Sequence, residues 1–333
     1  MSAISSIQAE TLDILRTAIP PGSTVALLDF PNHANAGDVL IYRGELAYLN
    51  HLGCRVEYVS TLTTYDKTAL DAAVPDGPIL LHGGGNFGDR YPAFQLFRER
   101  VVSENPDRRI VGLPQTFEYA DHDALTRTQE IYSNHPDLTL FIRNRQTATH
   151  VKDLFAANHV EYCPDTAFGV GPIDAPREAD HDFVVLKRTD SESAHTASGV
   201  PKELTEKALS TDWQLAWLGE DLRWWPQSLA LVVLFEIPAV RRRLYRGKQR
   251  TFDRQSTLIL RGAVNVLSRG RVIITDRLHA AILGVLLGKP VVMIDNANSK
   301  LSAAFRDYLA NIPDLRLVND FHEGYEAGKV MGS

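Results

Sequence analysis

The stretch Arg271-Val-Ile-Ile-Thr-Asp-Arg-Leu-His-Ala-Ala-Ile-Leu-Gly-Val-Leu-Leu-Gly-Lys-Pro290 decides how the rest of the chain is read. Val272 to Ile274 is a β-branched apolar run, the mark of a buried strand, and it stops at the polar group Thr275, Asp276, Arg277 and His279. A helical pattern follows, with Leu278, Ile282 and Leu286 on one side, and it closes at Gly288 before Pro290. Open α/β sheets bind ligands where a strand end runs into a helix start, because exposed helix N–H groups and the helix dipole attract anions. Arg277 adds a permanent cation that grips a phosphate or carboxylate through two parallel hydrogen bonds. His279 adds a group that gives or takes a proton near neutral pH. The same residues also admit a structural reading, an Arg277–Asp276 ion pair with His279 as a helix cap.

A chain of 333 residues suffices for two ordinary domains, each with its own core. Hydrophobic content of 44% and charged content of 23% are those of a soluble globular protein. The net charge of −6 argues against a dedicated nucleic-acid binder and makes local cationic clusters stand out. Cys54 and Cys163 are the only cysteines and form neither a C-x-x-C pair nor a metal spacing, as expected of buried thiols in a reducing compartment. Met1 to Ala18 lacks the basic-then-apolar layout of a signal peptide, and no apolar run is long enough to span a bilayer. The expected location is the cytoplasm.

The first half alternates short strands with helices. The pattern predicts strands at Thr24–Asp29, Arg55–Val59, Pro78–His82, Arg109–Leu113, Leu138–Arg143 and Val160–Cys163, and helices at Val39–Leu52, Ala93–Val102 and Gln146–Ala157. Such alternation means a parallel sheet covered on both faces. Gly171 to Arg177 is rich in turn-formers and reads as a linker between domains at 1–172 and 178–333. The second half predicts strands at Asp182–Lys187, Gln214–Leu218, Arg271–Thr275, Pro290–Ile294 and Leu315–Val318. The fold class is therefore α/β, with two Rossmann-like domains facing a cleft.

Several loops place polar residues just past strands. Asn35, Gly37 and Asp38 suit a tight turn that opens a helix. His82-Gly-Gly-Gly-Asn86 allows close approach of backbone to a ligand, or simply a tight strand-to-helix turn. Neither loop fits a dinucleotide fingerprint or a Walker motif. Gly112-Leu-Pro-Gln115 and Pro164-Asp165 lie past strands as well, and Lys187-Arg188 ends a strand in two cations.

Taken together, Asn35-x-Gly37-Asp38, His82-Gly-Gly-Gly-Asn86, Gly112-Leu-Pro-Gln115, Arg143-Asn-Arg145, Pro164-Asp165, the Arg188 strand end and Thr275-Asp-Arg-Leu-His279 resemble the polysaccharide pyruvyl transferase family, from about Leu27 to about Leu309. The resemblance is strongest to its bacterial exopolysaccharide ketal-pyruvyl transferases. It implies phosphoenolpyruvate as donor substrate, with no cofactor, and a pyruvate ketal built across two hydroxyls of a saccharide acceptor. The implied fold is similar to that of two-domain, GT-B-like glycosyltransferases, with the segment after Ser302 packing back on the first domain. By resemblance, the N-terminal domain takes the acceptor and the C-terminal domain the donor. Arg277, the Leu278 backbone and His279 then fall at donor and proton, and Arg188, or its neighbour Lys187, on a second donor cation. Asn35, Gly84, Gly85, Asn86 and Gln115 complete the implied substrate-binding set.

The chemistry agrees with the residues independently. A donor carrying phosphate and carboxylate needs two cationic anchors. His279 is suited to protonate the methylene carbon, with Asp276 expected to keep it charged. Asp38 or Asp165 is available to accept a hydroxyl proton, and no metal cluster is visible. Two rivals remain, a nucleotide-sugar glycosyltransferase of the same architecture and a non-catalytic partner in polysaccharide assembly. Trp224 to Arg250 joins two tryptophans and an apolar stretch to a basic run beginning at Arg241. It reads either as a core helix with a solvated basic turn or as a peripheral contact with the cytoplasmic membrane, where a lipid-linked acceptor would be met.

Overall fold

The computed structural model describes residues 2–188, 200–211, 213, 237, 245–295 and 300–332. The expected strand Gln214–Leu218 and most of Trp224–Arg250 lie outside the described residues. Among these residues no helix is long and apolar enough to cross a membrane.

Two parallel sheets form, one from each half. The first contains β1 (Thr24–Leu28), β2 (Arg55–Ser60), β3 (Ile79–Leu81), β4 (Gly84–Gly88), β5 (Ile110–Glu118), β6 (Leu138–Ile142) and β7 (His159–Tyr162). Its order is β2-β1-β3-β5-β6-β7, with β4 paired to the far end of β5. The second contains β8 (His181–Leu186), β9 (Ala208–Thr211), β10 (Gly270–Thr275), β11 (Val291–Ile294) and β12 (Leu315–Val318), in the order β12-β11-β10-β8-β9. The near-continuous apolar runs of β1, β6 and β11 follow from burial on both faces, as helices cover parallel strands on each side.

The glycine-rich loop departs from expectation. Gly84–Gly88 is a strand, because β5 runs on past Leu113 to Glu118 and supplies it with a ladder. Pro114 sits at the register shift of β5 between Gly112 and Gln115, where a missing N–H is tolerated. Gly88 is obligatory there, since a Cβ would lie 1.7 Å from the Glu118 carbonyl oxygen.

Each half has an apolar cluster of its own, and a further cluster joins the two. The helices α8 (Tyr245–Ser268) and α9 (Leu278–Leu286) of the second half both pack on α2 (Ala36–His51) of the first. Their apolar faces make one cluster that joins Val39, Leu40 and Phe168 of the first half to Leu267, Ile282 and Leu286 of the second. An amphipathic α1 (Ala3–Ala18), unremarked in the polar N-terminus, closes over that seam, where Gln8 Nε2 donates to the Phe168 carbonyl at 2.8 Å. After Ser302 the chain does return to the first half: Asp307 Oδ2 accepts from Asn144 Nδ2 at 3.0 Å and from the Arg145 amide at 2.9 Å.

Candidate active site

Each sheet has one point where the chain leaves neighbouring strands toward opposite sides. In the first it lies between β1 and β3, and in the second between β8 and β10. The loops after those strands diverge and leave a crevice, the usual ligand position in open α/β sheets. Both crevices open on a cavity of about 340 Å³ lined by Asn35, Asp38, Gly85 and Asn86 from the first half and by Arg188, Trp213, Arg277, Leu278 and His279 from the second.

The second-half wall is stapled by hydrogen bonds at the strand ends. Thr275 Oγ1 donates to the Leu186 carbonyl at 2.8 Å and accepts the Arg277 amide at 3.0 Å. Asp276 Oδ1 accepts the Arg188 amide at 2.8 Å. Asp276 therefore does not serve His279, as the sequence suggested. Its buried carboxylate ties the two arginine-bearing strand ends together, and burial pushes its pKa up against the Arg188 hydrogen bond and the Arg277 charge. Strand pleating separates the two adjacent cations. Arg188 lines the cavity, whereas the Lys187 ammonium lies 5.3 Å from the centre of the Phe321 ring and is not part of the cavity. Arg277 is the extended N-cap residue of α9, so the Leu278 amide is among the helix N–H groups lacking an intrahelical partner.

His279 reaches across to the first half. Its Nε2 lies 3.1 Å from Asp165 Oδ2 and 3.3 Å from Arg143 Nη1, and Arg143 Nη1 donates to the same Asp165 oxygen at 2.8 Å. Burial alone would raise the Asp165 pKa, but the His279 charge and hydrogen bond, Arg143 and the Ala167 amide outweigh it and hold the carboxyl well below the usual carboxylate range. Asp165 is 1% exposed and does not line the cavity, so of the two candidate bases only Asp38 faces it. On the other side of the imidazole lies Gly37, whose missing side chain makes the room: a Cβ would sit 2.9 Å from His279 Nδ1.

On the first-half wall, Asn35 Oδ1 caps α2 by accepting the Gly37 amide at 2.9 Å, while its Nδ2 donates to Asp38 Oδ2 at 2.8 Å. His33 Nε2 is 3.7 Å from the same Asp38 oxygen. Gly84 has φ of 95° and turns the chain so that Gly85 and Asn86 face the cavity, but is itself behind it. Gln115 is not brought to the cavity. It lies mid-strand, 1% exposed, and its Oε1 accepts from Arg98 Nη1. Arg98 also donates to Asp29 Oδ2 at 2.9 Å and to the His82 carbonyl at 2.6 Å, while His82 Nδ1 lies 2.7 Å from Glu45 Oε2. This buried network fixes the floor beneath the glycine strand, with Asp29 held at φ of 71°.

Sequence reasoning missed Arg143 as the partner of Asp165 and His279, Gly37 as the seat of the ring, and the aromatic rim of Tyr91, Phe94 and Trp213. Arg143 and Gly37 lie in motifs already singled out; nothing in the sequence marked the rim. Among the described residues no group of three or more His, Cys, Asp or Glu side chains is placed to hold a metal ion.

The family model for polysaccharide pyruvyl transferase matches residues 35–298. Pyruvyl transferase 1 of Schizosaccharomyces pombe is 32% identical over 285 residues, covering 82% of this chain and 66% of the relative, so the chain spans just under two thirds of that protein. A Bacillus subtilis protein named as a pyruvyl transferase, EpsO, is 30% identical over 310 residues, covering 93% of this chain and 92% of its own. The crystal structure of an uncharacterized Klebsiella pneumoniae protein superposes with a TM-score of 0.57 at 17% identity, covering 94% of this chain and 99% of that one, a likeness of fold alone. The chain belongs to the polysaccharide pyruvyl transferase family of enzymes.

Proposed function

We propose that the protein transfers the pyruvyl unit of phosphoenolpyruvate onto two hydroxyls of a saccharide, forming a pyruvate ketal during exopolysaccharide synthesis. The observation that carries this reading is the cavity's pairing of cations with hydroxyl-binding groups. Arg188, Arg277 and a helix N-terminus on the second-half wall, with Arg90 and Arg143 on the first-half wall, surround Asp38 and the amides of Asn35 and Asn86. The arginines match a donor with two anionic groups, and Asp38 with its neighbouring amides matches hydroxyls. Residues 178–333 then hold the donor and residues 1–172 the acceptor, in the manner of two-domain, GT-B-like glycosyltransferases.

In the first step a sugar hydroxyl attacks the central carbon of phosphoenolpyruvate while His279 gives a proton to the methylene carbon, which becomes the methyl group. The hydroxyl proton passes to Asp38. In the second step the neighbouring hydroxyl attacks the same carbon, gives its proton to the now neutral His279, and phosphate leaves, drawn off by the arginines. Asp165 acts through His279, as its fixed carboxylate orients the ring by accepting from Nε2. Product analysis tests the reading. Incubation with phosphoenolpyruvate and a saccharide acceptor should release one phosphate per acceptor modified. Consumption of a nucleotide sugar instead would make the protein a glycosyltransferase, and failure to bind phosphoenolpyruvate would leave a non-catalytic partner.

A further inference from the structure

A second hollow of about 420 Å³ adjoins the cavity, and Arg143 and Leu278 line both. Its walls come from both halves: the end of β5, the start of α6 (Arg145–Leu154), and the returning segment at Ala303–Tyr308. We propose that this hollow is a saccharide subsite, which holds the acceptor residue adjoining the sugar that receives the ketal. The inference rests on the reading of the acceptor as a saccharide.

Three observations favour that occupant. First, the lining has the mixed character a sugar ring requires. Phe117 and Tyr308 offer aromatic surface for the C–H face, while Glu118, Gln146 and Thr147 offer donors and acceptors for ring hydroxyls. Second, Tyr308 lines the hollow while only 8% exposed, so its ring is held by the fold as a fixed wall. Third, the walls are held before any ligand arrives, by Asp307 on Asn144 and on the Arg145 amide and by Arg143 Nε on Thr116 Oγ1 at 2.8 Å. The charged lining is mixed, Glu118 with Arg143 and Arg306, and Glu118 is already paired with Arg90 at 3.2 Å.

The test uses fragments of the host's own polysaccharide freed by mild acid, which strips ketals and leaves unmodified acceptors, sorted by length. Gln146 is exposed at the start of α6, and Gln146→Trp fills the hollow without touching the cavity. For the intact protein, KM should fall about tenfold from monosaccharide to oligosaccharide, the gain expected of one or two added polar contacts. Gln146→Trp should abolish that gain while leaving the monosaccharide KM and phosphoenolpyruvate binding unchanged. A KM independent of acceptor length, or a Gln146→Trp effect equal for all lengths, would overturn the subsite. If no fragment is pyruvylated but calorimetry still shows oligosaccharide binding that Gln146→Trp removes, the subsite stands and the pyruvyl reading fails.

Discussion

Replacing Gly37 by Ala tests whether His279 works through its seat. The new Cβ would lie 2.9 Å from His279 Nδ1, 3.1 Å from His279 Cβ and 3.1 Å from Asn35 Oδ1. Ordinary contact between such atoms begins near 3.4 Å, so the imidazole must withdraw by about half an ångström. The ring sits between Gly37 and Asp165, whose Oδ2 is already 3.1 Å from Nε2, so it cannot back straight away and has to tilt, which misaligns the His279–Asp165 hydrogen bond. A misplacement of about 1 Å costs on the order of a hundredfold in rate, so half of it should cost about tenfold in kcat. Phosphoenolpyruvate affinity should hold, because Arg188 and Arg277 lie on a separate wall and are not displaced. Stability should change little, since Ala favours the first turn of α2 by about 1 kcal/mol while the clash opposes it. Steady-state turnover, calorimetric donor binding and thermal melts together decide. A Gly37→Ala protein with full kcat, or one that loses donor affinity instead, would refute the reasoning.

Arg277→Ala and Arg188→Ala should each weaken phosphoenolpyruvate binding by about 2–5 kcal/mol, roughly thirtyfold or more by calorimetry, whereas Lys187→Ala should leave it unchanged. Equal losses for Lys187 and Arg188 would contradict the pleat that separates them. His279→Ala should cut kcat by about a hundredfold or more with donor affinity within threefold, since proton delivery is felt in the transition state. Asp165→Asn leaves two nitrogen-rich partners facing a neutral amide and should destabilise the fold by about 3 kcal/mol at neutral pH. The folded carboxyl titrates below its unfolded value of about 4, so this contribution is complete above that pH and is lost only as pH falls through the depressed folded value. Denaturant melts should therefore show the deficit constant from neutral pH down to the carboxylate range and narrowing only in stronger acid.

The strand-to-helix unit from Val272 to Leu286 was legible because burial on both faces leaves a β-branched run and then a helical period. Arg277 was legible as a cavity residue for the same reason, as it stands at the boundary of the two patterns. The partner of His279 was not. Asp276 is near in sequence, yet its side chain turns into the sheet end, whereas Asp165 arrives from another strand 114 positions away. Sequence order carries no record of which carboxylate the fold delivers. The choice between Lys187 and Arg188 was not legible, because the end of β8 is buried on both faces and carries no alternation that tells which cation faces the cavity. Gln115 misled because Gly112-Leu-Pro-Gln115 has the composition of a turn. The strand continues through it only because a glycine segment, itself unlike a strand, pairs alongside. Cavity residues that depend on close approach, such as Gly37, become visible only when both surfaces are known.

The most direct test follows the central carbon of the donor. Phosphoenolpyruvate labelled with carbon-13 at that carbon is incubated with the protein and the unmodified saccharide, and the product is read by carbon-13 resonance and phosphate release. The expected product carries the label in a quaternary carbon bonded to two sugar oxygens and one methyl group, with one phosphate freed for each ketal. Label that stays in phosphoenolpyruvate or free pyruvate, while a nucleotide sugar is consumed to make a glycosidic bond, would contradict it.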